Sequence, residues 1–198
     1  MLKKFFISIL SLIVLSIGGL FLYNNFKHKP VYGIILLDKD GTKVNNSINA
    51  QKKDIEKHVV VEGKWVEPTK TLALNVTDAK KIIVFNGFKK VTGSKDNYKF
   101  EPVKKISPNE VSSFSKESTS MVTDEAYKAF PSPINEYVTL GESSAHVNNL
   151  LILPDKQYNA FTGSPISLGV LKVKSDASKV LINYNKVEMN QLYNESGA

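Results

Sequence analysis

The longest apolar stretch of the chain is FFISILSLIVLSIGGLFLY, Phe5 to Tyr23, where three serines are the only strongly polar residues. As a helix rising 1.5 Å per residue it reaches about 28 Å, close to the roughly 30 Å hydrocarbon core of a bilayer. Ser16-Ile17-Gly18 has the small residues of a signal-peptidase site. Cleavage there would leave Leu20, Phe21, Leu22 and Tyr23 as a greasy start to the mature chain, and the apolar part of a signal peptide is usually shorter, ~7–15 residues. The pattern therefore predicts one retained N-terminal transmembrane helix, with residues 1–29 as anchor and short linker. The start MLKK followed at once by the apolar run resembles a signal-anchor, which places the C-terminal bulk outside the cytoplasm.

Beyond residue 30 the pattern changes to short apolar runs with period two. VYGIILLDKDGTKV reads as a hairpin turning at Asp38-Lys39-Asp40-Gly41. INAQKKDIEKH, from Ile48, reads as a short helix. HVVVEGKWV (His58 to Val66), TLALNV, KIIVFNGF and NYKFEPV read as strands. Ser107-Pro108-Asn109-Glu110 has the form of a capping box and predicts a helix through about Lys116, and Thr123 caps a second. EYVTL, VNNLLILP, ISLGVLKVK and KVLINY return to strand patterning, and the tail from Asn190 reads as frayed. The expectation is a mainly β fold: a single antiparallel sandwich or barrel-like domain over residues 30–198, with a helical insertion at about 107–130.

Composition narrows the chemistry. The chain has no cysteine, which excludes disulfides, zinc-thiolate sites, thiol catalysis and a lipid-bearing cysteine side chain. The architecture resembles that of sortases, a membrane anchor carrying a β domain outside, but their cysteine nucleophile is missing. The net charge is +7. From residue 30 onward, 22 lysines face 19 acidic residues, a surplus of three. Every basic residue is lysine, and a reader of bases or phosphates normally relies on the bidentate guanidinium of arginine. The expectation is no nucleic-acid partner, no metal and no cofactor.

Two weak catalytic patterns are present. Gly141-Glu142-Ser143-Ser144-Ala145 resembles a nucleophile elbow, with His146 three residues past Ser143, but the flanking pattern is strand to strand rather than strand to helix. Ser113-Phe114-Ser115-Lys116 fits S-x-x-K on the expected helix, which would place Ser113 and Lys116 on one face, yet no companion motif follows. Asp38-x-Asp40-Gly41 begins like a calcium loop but puts Lys43 and Asn49 where glycine and an acid belong. The lysines Lys80, Lys81, Lys89, Lys90, Lys95 and Lys99 crowd one stretch and could form a basic ridge. The aromatic residues Phe85, Phe88, Tyr98 and Phe100 nearby read as core. The reading is a membrane-anchored extracytoplasmic binding domain of a bacterial cell envelope, held to the bilayer through Phe5–Tyr23. Its partner would be a protein or an anionic envelope polymer. The alternative is a small envelope serine hydrolase using Ser143 or Ser113.

Overall fold

The computed structural model describes residues 29–93, 97–115, 121–131 and 137–195. The expected membrane helix, Phe5 to Tyr23, lies outside these residues. Among those described, no helix is long and apolar enough to cross a membrane.

The fold is mainly β, as expected, and all six residues of strand β1 (Gly33–Asp38) are buried. Ile34 and Leu36 join one core, Ile35 and Leu37 another, so the strand is covered on both faces. That is why GIILL shows no alternation. β1 pairs antiparallel with β11 (Ser164–Val173) on one side and β12 (Met189–Tyr193) on the other. Beyond β11 come β2 (Ile55–Val66), β3 (Thr71–Asn75), β10 (Asn149–Leu153) and β6 (Ser112–Ser115), completing a seven-stranded sheet in the order β12-β1-β11-β2-β3-β10-β6. A second sheet of three strands is ordered β5 (Lys99–Pro102), β4 (Phe88–Thr92), β9 (Val138–Leu140), and β7 (Met121–Thr123) pairs with β8 (Ala129–Pro131).

Each face of the large sheet has its own cover. One face packs Ile35, Leu37, Leu72, Leu74, Leu150 and Val170 against helix α2 (Val76–Val84) and the small sheet. On the other face, Ile34, Leu36 and Leu171 meet helix α1 (Gly41–Ala50) and the short helix α4 (Ala177–Val180) with the 3-10 turn Leu181–Tyr184 that follows it. Further along that face, Ala73, Leu151 and Leu153 lie under the β7–β8 hairpin and Phe161, next to helix α3 (Asp155–Ala160). Close approach of α1 to β11 depends on Gly169, where an added Cβ would sit 3.0 Å from Val44 Cγ1.

Several expectations are corrected. The sheet is not purely antiparallel, because β3 and β10 run parallel, and it is open, with β12 and β6 at its edges. Asp38–Gly41 is not a hairpin turn: Asp40 caps α1, its carboxylate accepting from Thr42 N at 3.0 Å. The buried Asp38 carboxylate accepts from Asp40 N at 2.7 Å and Glu188 N at 2.8 Å. Helix formation therefore begins at Gly41 and ends at Ala50, earlier than expected. Ile82–Val84 is the end of α2 rather than a strand, with Phe85 as its C-cap. The Asn75 side chain accepts from Asp78 N at 2.7 Å, and Val76, Ala79 and Ile82 fall on one buried face at three-residue spacing. Val180–Tyr184 is likewise helical rather than extended, and the supposedly frayed tail contains β12.

The helical insertion at 107–130 is the largest correction. Its described residues include β6, β7 and β8, with a turn between β7 and β8. A cap contributes about 1 kcal/mol. Burying a Phe or Val side chain contributes about 1.5–3 kcal/mol, and Phe114, Val122 and Phe130 are all buried here. Pairing β6 with β10 buries Phe114, and the β7–β8 pair buries Val122 and Phe130 against the large sheet, so tertiary packing outweighs the local helix signal.

Candidate functional site

The small sheet has two unlike faces because side chains alternate along a strand. Phe88 of β4 points into the core with Leu140 and Val138. Lys89 and Val91 point the other way, beside Thr139, which pairs with Lys89, and Phe100, which pairs with Val91. Tyr98 and Tyr137 extend this outer face. Gly141, with φ +66°, turns the chain out of β9 so that Glu142, Ser143 and Ser144 form a rim. The result is a cleft of ≈ 440 Å³ whose floor is Val91 and Thr139 and whose walls are Tyr98, Phe100 and Tyr137. An adjoining recess of ≈ 450 Å³ shares Tyr98, Phe100 and Glu142 and reaches Lys99 and Asn194. Tyr98 is 54% exposed, so its ring is available to a visitor. Burial pushes the Tyr137 hydroxyl up from its ordinary value, with Ser144 beside it opposing.

Lys89 lies at the end of this face with its side chain fully buried. Its Nζ donates to the Asn194 carbonyl at 2.6 Å and stands 4.0 Å from the Glu142 carboxylate. Burial pushes its pKa below the usual lysine value, and the carboxylate of Glu142 partly opposes this. Lys89 therefore does not belong to a surface ridge. Lys90, its neighbour, is half-buried and points to the opposite face of the same strand. Lys80 and Lys81 are exposed on α2, where Lys81 pairs with Asp78 at 2.6 Å, and Lys99 is exposed on β5. Lys95 lies outside the described residues. Consecutive strand lysines cannot share a face, and this breaks the expected ridge.

The serines are placed as follows. Ser143 sits in the turn between β9 and β10, its Oγ accepting from Ala145 N at 3.2 Å. His146 is half-buried in the same loop, and no hydrogen bond joins the two among the described residues. Ser113 is on strand β6 opposite Leu151, fully buried, with no partner for its Oγ among the described residues. Lys116 lies outside the described residues. The one-face argument for Ser113 and Lys116 needed a helix, and Ser113 lies on a strand instead. No group of three or more His, Asp or Glu residues that could hold a metal ion occurs among the described residues.

Of the aromatic residues read as core, Phe85 and Phe88 are core, whereas Phe100 and Tyr98 line the cleft. The alternation in NYKFEPV already put Tyr98 and Phe100 on one face. Nothing in the sequence indicated that Tyr137, almost forty residues on, would stand beside them.

Comparison with known proteins adds a family. Residues 31–195 match a family described as an uncharacterised lipoprotein family. The crystal structure of a Bacillus anthracis protein described as a lipoprotein superposes with a TM-score of 0.69, at 23% identity over 82% of this chain and 98% of that one, a likeness of fold. No protein of curated function matches. Within these 198 residues no cysteine is present to carry a lipid. The match spans nearly all of the described residues, and the chain belongs to this lipoprotein family and is an envelope-associated protein.

Proposed function

We propose that the chain is a membrane-anchored, extracytoplasmic binding protein whose ligand is a saccharide polymer of the envelope, held across the cleft on the small sheet. The observation that carries this is the combination of Tyr98, Phe100 and Tyr137 with the polar rim of Glu142, Ser143 and Ser144. A sugar ring has apolar C–H faces and a hydroxyl edge. Aromatic rings cover the first, and carboxylate and hydroxyl oxygens accept from the second. Lys89 behind Glu142 offsets the carboxylate charge, and the exposed Lys99, Lys104 and Lys105 attract an anionic polymer at longer range. The hydrolase reading has less support. Ser143 spends its Oγ on a backbone N–H, and Ser113 is shielded from any substrate.

The test uses the full chain in detergent and purified wall sacculi with their attached polymers. Tyr98→Ala removes an exposed ring at little cost to folding. A lost ring contact of about 0.5–1.5 kcal/mol corresponds to binding weaker by about two- to twelvefold. Raised salt should weaken the wild type further. Unchanged binding in both Tyr98→Ala and Glu142→Gln would move the ligand off the cleft and end this proposal.

A further inference from the structure

Where the chain enters the domain, several segments converge. Val31 N donates to the Asp176 carboxylate at 3.4 Å, and Ala177 N donates to the Val31 carbonyl at 2.6 Å. Val173 N donates to the Tyr32 carbonyl, and Lys174 N to the Asp54 carbonyl. The entry point, the turn at 51–54 and the segment after β11 therefore form one pole of the large sheet. Its far pole is the other end of the same strands, where Ser164 pairs with Trp65.

This pole is lysine-rich. Lys52, Lys53, Lys174 and Lys179 are exposed, and none of them makes an ion pair among the described residues. Lys174 Nζ instead donates to the Lys53 carbonyl at 2.7 Å. The acids here are largely engaged: Glu56 and Glu195 flank Lys172 at 3.2 Å each, and Asp176 accepts from Val31 N, Ser178 N and Ser178 Oγ. Asp54 is the remaining carboxylate. Tyr32, 38% exposed at the entry point, adds an amphipathic ring of the kind that collects at membrane interfaces.

We infer that this pole is a docking surface for the anionic headgroups of the bilayer that the chain is anchored in. The inference rests on the anchor reading of Phe5–Tyr23. Seven residues separate Tyr23 from Val31, a tether of at most about 25 Å. The twelve residues of β2 alone extend for about 40 Å. The entry pole is thus the end of the sheet that the tether keeps within reach of the headgroups. Lysines close to an anionic surface each favour contact by a factor of about five.

The experiment reconstitutes the full chain in vesicles of phosphatidylcholine with or without phosphatidylglycerol. Because the chain has no cysteine, Ser175→Cys gives one site at the entry pole for a polarity-sensitive fluorophore, and Thr162→Cys gives one near the far pole. The Ser175 label should shift to the blue only when phosphatidylglycerol is present, and Lys52→Glu, Lys53→Glu and Lys179→Glu together should reverse the shift, lowering the docked-to-free ratio more than tenfold. The Thr162 label should not respond. A Ser175 label that stays in water on anionic vesicles, or an equal response at Thr162, overturns the docking surface. Flotation with vesicles in 1 M salt reads the anchor separately. A chain that fails to float there overturns the anchor, and with it this tethered docking.

Discussion

Two tyrosines offer the same chemical change in two opposite settings. Tyr193 is buried and its hydroxyl donates to the Phe85 carbonyl, at the cap of α2, across 3.0 Å. Tyr184 is also buried, but its hydroxyl has no hydrogen-bond partner among the described residues. Tyr193→Phe removes a hydrogen bond and strands a buried carbonyl, so it should cost about 1–2.5 kcal/mol. Tyr184→Phe removes a hydroxyl that lost its water on folding and gained nothing, so it should be neutral or stabilising by about 1 kcal/mol. For a domain of this size each kcal/mol moves the melting temperature by about 2–4 °C, so Tyr193→Phe should melt several degrees below the wild type and Tyr184→Phe at or above it. Trp65, the single tryptophan, is 2% exposed and reports urea unfolding by its fluorescence. The full chain in detergent is the material. Alkaline pH gives a second reading. Burial, with Asp54 adding to it, pushes the Tyr184 hydroxyl from 10.0 up to about 12. The unfolded chain therefore loses this proton first, and stability falls as pH rises from 10.0 through about 12. Tyr184→Phe should remove that part of the fall. Equal destabilisation by both variants would falsify the assignment of Tyr184 as an unpaired hydroxyl.

Gly169→Val should cost about 1–3 kcal/mol by pushing Val44 and Ile48 of α1 away from β11, measured by the same urea titration. N-terminal sequencing of membrane-extracted protein should find residue 1 or 2, and a start at Gly19 with release to the medium would contradict a retained anchor. In intact cells an impermeant thiol reagent should label Ser175→Cys, and labelling only after lysis would place the domain inside.

How far the sequence disclosed this fold depends on which residues carried the signal. The runs that became β1, β2, β10 and β11 were readable because a buried strand needs an apolar stretch of about that length, whatever surrounds it. Asp38–Gly41 was misread because Asp and Gly serve both a tight turn and a helix start. The helix that follows, GTKVNNSINA, buries only Val44, Ser47 and Ile48, too sparse a stripe to stand out. In KIIVF, four adjacent apolar residues fit either period, and only Val76 and Ala79 upstream resolve the ambiguity in favour of a helix. Asn190 and Gln191 made the tail look solvated, although Gln191 is buried against the Leu140 carbonyl at 2.6 Å. The cleft was half legible: Tyr98 and Phe100 declared a shared face, while Tyr137 and the burial of Lys89 depend on which strands become neighbours.

The position of β1 has a consequence for how the molecule is made. Its two partners are β11 and β12, which are synthesised after almost everything else. At ribosomal speeds the wait between Asp38 and Ser164 is on the order of ten seconds. During that interval Gly33 to Leu37 have neither of their strand partners to pair with. Such a segment has the features of a self-associating β-strand: apolar, uncharged and free of proline. Truncation anywhere before β11 should therefore yield aggregates rather than a smaller folded domain.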